Sequence, residues 1–146
     1  MAVTGSREIL IEATPGEILD VVADIGRTPE WSPQHQTAEV LETFDNGRPR
    51  LVRAKVKTAG ISDMQTVEYT WSDDFVSWTL VEAGQLKAQT GRYTLTAEGD
   101  ATRVRVDVSV ELAIPLPGFI VKTAMKGALD TATTGLRGQV LKVTKG

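Results

Sequence analysis

Pro115-Leu116-Pro117-Gly118-Phe119 is the stretch that separates a run of short strands from one long C-terminal helix. After it, apolar residues recur at the three- and four-residue spacing of a helix face. They are Ile120, Val121, Ala124, Met125, Ala128, Ala132, Leu136, Val140 and Val143. The middle of this stripe carries mainly small side chains. A helix that presents small side chains to a sheet leaves space beneath it, so the sequence predicts a cavity.

The sequence before Pro115 predicts a series of strands joined by short turns. Asp45-Asn46-Gly47 is one turn, and Ser72-Asp73-Asp74 and Glu98-Gly99-Asp100 are two others. Short connections between successive strands favour antiparallel neighbours. We expect strands near residues 34–44, 49–58, 62–72, 75–83, 86–97 and 101–113.

The N-terminal part adds one strand and two short helices. Ser6–Ala13 alternates as a strand does. Thr14-Pro15-Gly16-Glu17 provides an N-cap, a proline at the first helical position and a capping box, and the helix is expected to run to about Ile25. A helical turn between Pro29 and Pro33 follows. The element order predicts an α+β fold, a curved antiparallel sheet with helices gathered on one face.

Composition narrows the class of protein. A chain of 146 residues is most simply one domain, residues 1–146, able to bury a core without cross-links. The net charge of −3 gives no reason to expect nucleic acid, and the absence of cysteine excludes disulfides and thiolate chemistry. No signal peptide or membrane-spanning run is evident, so we expect a cytoplasmic protein without stable membrane insertion. No metal-ligand spacing or phosphate-binding loop is present, so no metal and no cofactor are expected; the oligomeric state stays open.

Alternation along the strands predicts an inner face rich in aromatic residues. Val104, Val106 and Val108 alternate with charged and polar residues, as on a sheet with one covered face. By the same phase, the inner face contains Tyr69, Trp71, Trp78 and Tyr93. Such side chains are common in pockets that need shape and a few hydrogen bonds. The alternative is that rings and small residues interdigitate into a closed core.

Several short motifs, in this order, carry a resemblance to a known family. They are Ile9-x-Ile11-x-Ala13-Thr14-Pro15-Gly16-Glu17, Asp24-Ile25-Gly26, Thr28-Pro29-Glu30-Trp31, Gly91-Arg92-Tyr93-Thr94-Leu95, Ala101-Thr102-Arg103-Val104 and the 115–119 stretch. Together they resemble the polyketide cyclase/dehydrase branch of the START-like (SRPBCC, Bet v 1-like) superfamily. The resemblance implies a helix-grip fold. In that fold a seven-stranded curved antiparallel sheet wraps around a long C-terminal helix, with two short helices between strands 1 and 2 and a deep apolar cavity. It also implies a role in binding lipids, sterols, polyketides or hormones, in cyclising polyketides, or in quinone pathways.

No convincing catalytic constellation emerges from the sequence. A cyclase or dehydratase needs a proton donor and acceptor along the cavity, and the inward-phase candidates are Tyr69, Glu82, Lys87, Gln89 and Tyr93. Glu82 and Tyr93 are the catalytic candidates, although the position of Glu82 at a strand end before Ala83-Gly84 favours a solvated side chain at the open rim. The single histidine, His35, is expected to be a surface or loop residue.

These observations favour binding of a small hydrophobic ligand such as a lipid, an isoprenoid or a polyketide. The residues expected to line the site are Trp31, Tyr69, Trp78, Tyr93, Phe119, Ile120, Ala124 and Gly127. The alternative is a polyketide cyclase/dehydratase that uses polar cavity residues, and a third hypothesis is a partner-binding module.

A basic stripe offers a second feature. It comprises Arg53, Lys55, Lys57, Arg103 and Arg105. It is expected either to be a solvated outer sheet face or to dock on an anionic membrane or carrier protein.

Overall fold

The computed structural model describes residues 2–58 and 60–145 of the chain. The strands are β1 (Ala2–Ile11), β2 (His35–Thr43), β3 (Pro49–Thr58), β4 (Ile61–Trp71), β5 (Phe75–Glu82), β6 (Leu86–Glu98) and β7 (Ala101–Leu112). The helices are α1 (Pro15–Ala23), a 3₁₀ helix (Ile25–Glu30), α2 (Gly118–Asp130), a π-helical turn (Thr131–Gly135) and α3 (Leu136–Lys145). We call residues 118–145 the C-terminal helix, because α2, the π-helical turn and α3 follow one another without a break.

The seven strands form one antiparallel sheet in the order β1-β7-β6-β5-β4-β3-β2. Consecutive strands pair from β2 to β7, as short turns require, and β1 closes the order by pairing with β7. The C-terminal helix packs on the inner face of this curved sheet, with α1 against α3. The α+β class and the helix-grip arrangement expected from the sequence are therefore confirmed.

Two element boundaries differ from the sequence expectation. β1 begins at Ala2 rather than Ser6, because β7 offers partners along its whole length, from Ala2 opposite Glu111 to Ile11 opposite Thr102. Helix α1 ends at Ala23, and the 3₁₀ helix takes over from Ile25. The capping box at Thr14 and Glu17 is present as expected, with both reciprocal hydrogen bonds formed.

The core gathers where α1 and α3 cover one end of the inner face. Its fully buried side chains come from the sheet, from α1 and from α3: Ile11, Ile18, Val76, Val104, Val106, Leu136 and Val140. Around Ala124 and Ala128, by contrast, the helix presents side chains too small to fill the space. The packed core thus occupies one part of the inner face and leaves another part open.

Candidate functional site

A cavity of about 310 Å³ lies between the inner face of the sheet and the C-terminal helix. Its lining is mostly apolar. β3 contributes Val52, Ala54 and Val56, β7 contributes Val108, Val110 and Leu112, and the helix contributes Val121, Ala124, Met125, Ala128 and Ala132. Pockets for small molecules begin at about 300 Å³ and have this apolar character. The cavity predicted from the small-residue stripe is present in the structure.

The C-terminal helix packs closely on the sheet at a glycine of β1. A β-carbon on Gly5 of β1 would lie 2.9 Å from the sulfur of Met125 and 3.0 Å from Cδ1 of Leu129. Only a residue without a side chain lets these two helix residues rest on the strand. The helix is thus held against β1 at Gly5, while Ala124 and Ala128 leave the volume beneath it unfilled.

One wall of the cavity continues into a chain of four aromatic rings. Trp71 stacks on Tyr69 at 5.5 Å between ring centroids, Tyr69 meets Trp78 at 6.1 Å, and Trp78 meets Tyr93 at 5.6 Å. Tyr69, Trp78 and Tyr93 line the cavity. The indole N–H of Trp71 donates to the carbonyl of Pro49 at 2.7 Å. These offset contacts fix the rings relative to one another, so the wall has a defined shape.

Tyr93 joins this wall to the C-terminal helix. Its hydroxyl donates to the carbonyl oxygen of Ala132 at 3.0 Å. Ala132 belongs to the π-helical turn, in which backbone hydrogen bonds span five residues instead of four. Burial raises the pKa of Tyr69 to about 12. Burial and the neighbouring Tyr69 also raise the pKa of Tyr93. Tyr93 is therefore a neutral group whose proton is already engaged.

Two residues expected to point inward do not, because the strands carry bulges. Glu82 lies opposite Thr66 while Leu80 lies opposite Val67, so Val81 is an extra residue in β5. The bulge turns Glu82 to the outer face, where it is exposed. Lys87 is the extra residue of a similar bulge in β6, and it forms an ion pair with Glu111 at 3.9 Å. The inward orientation that strand alternation suggests is thus wrong for both residues, and Glu82 is solvated, as its place at the strand end favours.

The remaining expected residues divide between the lining and its surroundings. Trp31, Ala124 and Gln89 line the cavity. Phe119, Ile120 and Gly127 are absent from the lining described here. Phe119 is 71% exposed in the first turn of α2, and Gly127 lies beside the amide of Gln34. Phe119 therefore faces solvent, whereas Ile120 and Gly127 lie near the cavity without lining it.

A polar cluster in the lining was not predicted from the sequence. It comprises Ser32, Gln34, His35 and Thr131. The Ser32 hydroxyl lies 2.7 Å from Nδ1 of His35, and the hydroxyls of Ser32 and Thr131 donate to Oε1 of Gln34 at 3.2 Å and 2.9 Å. Burial lowers the pKa of His35 below its usual 6.5, so the imidazole is neutral at pH 7. The segment between the 3₁₀ helix and β2 lies beside the π-helical turn, and this position brings Gln34 to Thr131.

The family of the chain follows from a comparison with known proteins. A model of the family described as polyketide cyclase / dehydrase and lipid transport matches residues 2–140. The chain belongs to this family. The match covers all seven strands and most of the C-terminal helix, and it confirms the resemblance seen in the sequence motifs. A search of curated protein sequences gave no match.

Several solved structures have the same fold as this protein. A START superfamily protein from Mycobacterium smegmatis is 25% identical, with a TM-score of 0.86 over 97% of this chain and 99% of the other. The Zhui aromatase/cyclase from Streptomyces sp. R1128 is 13% identical, with a TM-score of 0.83 and 99% and 98% coverage. A major latex-like protein from Panax ginseng is 12% identical, with a TM-score of 0.71 and 96% and 98% coverage. The last two likenesses concern the fold alone.

The arrangement of the described residues also bears on metal binding and on membrane-spanning helices. Within residues 2–58 and 60–145, no group of three or more His, Asp or Glu side chains is placed to hold a metal ion. No helix in those ranges is long and apolar enough to cross a membrane.

On the basic stripe, Arg103 pairs with Glu98 at 2.7 Å, Arg105 with Asp107 at 3.1 Å, and Arg53 with Glu39 at 3.9 Å. The arginines of the stripe thus have carboxylate partners on the outer sheet face.

Proposed function

We propose that this protein binds a small apolar molecule, such as a lipid, an isoprenoid or a polyketide-like compound, in the cavity beneath the C-terminal helix. The observation that carries the proposal is the 310 Å³ apolar cavity whose size is set by alanines facing an aromatic wall. The family, which includes lipid transport proteins in its description, supports it.

The energetics allow moderate affinity. A ligand that transfers roughly 300 Å² of apolar surface from water gains about 7 kcal/mol before the costs of ordering are subtracted. Dissociation constants in the micromolar range or weaker are therefore expected. The four-ring wall and the engaged Tyr93 hydroxyl favour a ligand held by shape rather than by many hydrogen bonds.

A matched pair of helix variants tests the proposal. Binding of N-phenyl-1-naphthylamine, a neutral apolar fluorophore, is titrated by its emission. Ala124→Trp places an indole in the cavity and is expected to weaken binding at least tenfold. Lys122→Trp adds the same ring at an exposed position of the same helix and is expected to leave binding unchanged. Equal affinity in the wild type and Ala124→Trp would exclude this cavity as the binding site.

A second candidate function is acid–base chemistry on a polyketide-like chain. The observation that favours it is the hydrogen bond between Ser32 and a neutral His35 in the cavity lining. A neutral imidazole can accept a proton near pH 7, which an exposed Glu82 or a hydrogen-bonded Tyr93 is less suited to do. Incubation with a synthetic poly-β-ketone, followed by absorbance of an aromatic product, tests it. Turnover that persists in His35→Gln would remove His35 from this role.

A further inference from the structure

The described polar groups that line the cavity provide no free charge that could pair with a charged ligand. Among the described residues that line it, there is no lysine and no arginine. The lone carboxylate among them, Asp63, accepts hydrogen bonds from the backbone N–H groups of Gly84 and Gln85, both at 2.9 Å. His35 is neutral because of its burial. An anionic head group inside the cavity would therefore lose its hydration without gaining a counter-charge, which is costly.

The cavity lining also contains hydrogen-bond donors that have no acceptor among the described residues. The indole Nε1–H of Trp31 is buried and has no hydrogen-bond partner among the described residues. Oε1 of Gln34 accepts from Ser32 and Thr131, and its Nε2 group donates to no described residue, but of these two donors only the Trp31 N–H is buried without a partner. A buried donor without an acceptor costs free energy of its own, and a ligand that supplies the acceptor recovers that cost.

The directions of the hydrogen bonds within the polar cluster show which of its donors and acceptors are already used. If Ser32 donates its one proton to Gln34, Nδ1 of His35 must carry the proton that bridges to the Ser32 oxygen. Nε2 of His35 and the hydroxyl oxygens of Ser32 and Thr131 keep acceptor capacity, whereas the Trp31 indole N–H is a donor that is buried without a partner among the described residues. An uncharged oxygen that accepts a hydrogen bond complements the buried Trp31 N–H.

We propose that residues 31–35 form a recognition subsite for an uncharged carbonyl group, as in a ketone or an ester, on an otherwise apolar ligand. The subsite rests on the proposed binding function and narrows its ligand class. It selects against free carboxylates such as fatty-acid anions, and the Trp31 indole N–H is the donor that the carbonyl oxygen satisfies.

The three tryptophan indoles provide a direct test. 2-Acetylnaphthalene, 2-ethylnaphthalene and 2-naphthoate have closely similar ring systems and differ in the polar group. Each is titrated into ¹⁵N-labelled protein while the indole N–H resonances are followed, with Trp31→Phe identifying the Trp31 signal. The acetyl compound is expected to bind about three- to tenfold more tightly than the ethyl compound, the gain of one neutral hydrogen bond. It should move the Trp31 signal downfield, while Trp71, already bonded to Pro49, shows little change.

The variants separate the possible failures. In Trp31→Phe and in Gln34→Leu, the ratio of the affinities for the acetyl and ethyl compounds should shrink to about twofold or less, and this ratio is compared within each variant so that a general change in affinity does not affect it. Thermal unfolding of each variant confirms that it is folded. Equal binding of the acetyl and ethyl compounds to the wild type, or tighter binding of 2-naphthoate, would overturn the carbonyl subsite and leave the apolar cavity intact. If 2-ethylnaphthalene does not bind at all, the proposed function itself fails.

Discussion

The indole of Trp78 covers Gly91 on the neighbouring strand, so closely that a β-carbon on Gly91 would lie 2.0 Å from Cζ2 of Trp78. The two residues are paired in the register of β5 and β6. The glycine therefore allows the ring to lie flat along the sheet between Tyr69 and Tyr93, and it shapes the aromatic wall of the cavity.

Replacing this glycine should disturb the wall. Gly91→Ala forces the Trp78 ring to shift, and overpacking of this kind typically costs about 1–3 kcal/mol. Urea denaturation should show that loss, and tryptophan fluorescence should report the displaced ring. Gly138→Ala is the control, because its β-carbon would meet nothing within 4 Å in α3 and alanine favours a helix. Unchanged stability and fluorescence in Gly91→Ala would contradict the packing described here.

The hydrogen bond from Tyr93 to Ala132 should be measurable in the same way. Tyr93→Phe removes the donor of this part-buried hydrogen bond, which is expected to lower the free energy of unfolding by about 1–2 kcal/mol. Tyr69→Phe is the matched variant, since the Tyr69 hydroxyl makes no hydrogen bond to the described residues. A loss in Tyr69→Phe as large as that in Tyr93→Phe would show that the bond to Ala132 is not the cause.

The two tyrosines should resist ionisation. They are the only tyrosines in the chain, and burial raises the pKa of Tyr69 to about 12 and raises that of Tyr93 as well. Tyrosinate absorbance at about 295 nm should stay near zero at pH 10.5 in the folded protein, whereas half or more of the tyrosines ionise at that pH once urea unfolds it. Tyrosinate formation near pH 10 in the folded protein would indicate that water reaches these rings.

His35 should make the protein less stable in mild acid. Its pKa in the folded protein lies below the unfolded value of about 6.5, so between these values the unfolded chain binds more protons. The free energy of unfolding should therefore fall as the pH drops below about 6.5, by at most about 1.4 kcal/mol per pH unit, and level off below the folded pKa. Urea denaturation at pH 7.5 and 5.5 measures the change. A His35→Gln variant with the same pH dependence as the wild type would assign the effect to other groups.

Sequence patterns predicted the sheet, the terminal helix and the cavity because each depends on local periodicity. The small residues after Pro115 and the alternation in β7 are visible without coordinates. Glu82 and Lys87 were misplaced because a bulge adds one residue to a strand and reverses its phase beyond that point. Such an insertion depends on the partner strand, so alternation within one strand cannot reveal it.

The polar cluster was beyond sequence reasoning for a different reason. Gln34 and Thr131 are 97 positions apart, and they meet because the 3₁₀ helix and the π-helical turn bring them together. Nothing in the spacing around Thr131 indicates a hydrogen-bonding partner. The prolines at positions 29 and 33 do indicate a tightly fixed turn, but not which side chains it directs toward the cavity.

An apolar ligand that enters the cavity between the sheet and the C-terminal helix must touch the side chains that line it. Intermolecular nuclear Overhauser effects between 2-ethylnaphthalene and protein carrying ¹³C-labelled alanine and valine methyl groups test it most directly. We expect contacts from the ligand to the methyl groups of Ala124, Ala128 and Val108, which line the cavity, and none to those of Val81 and Ala88, which are exposed. Contacts confined to outer-face methyl groups, or no contacts under conditions in which the ligand is bound, would contradict it.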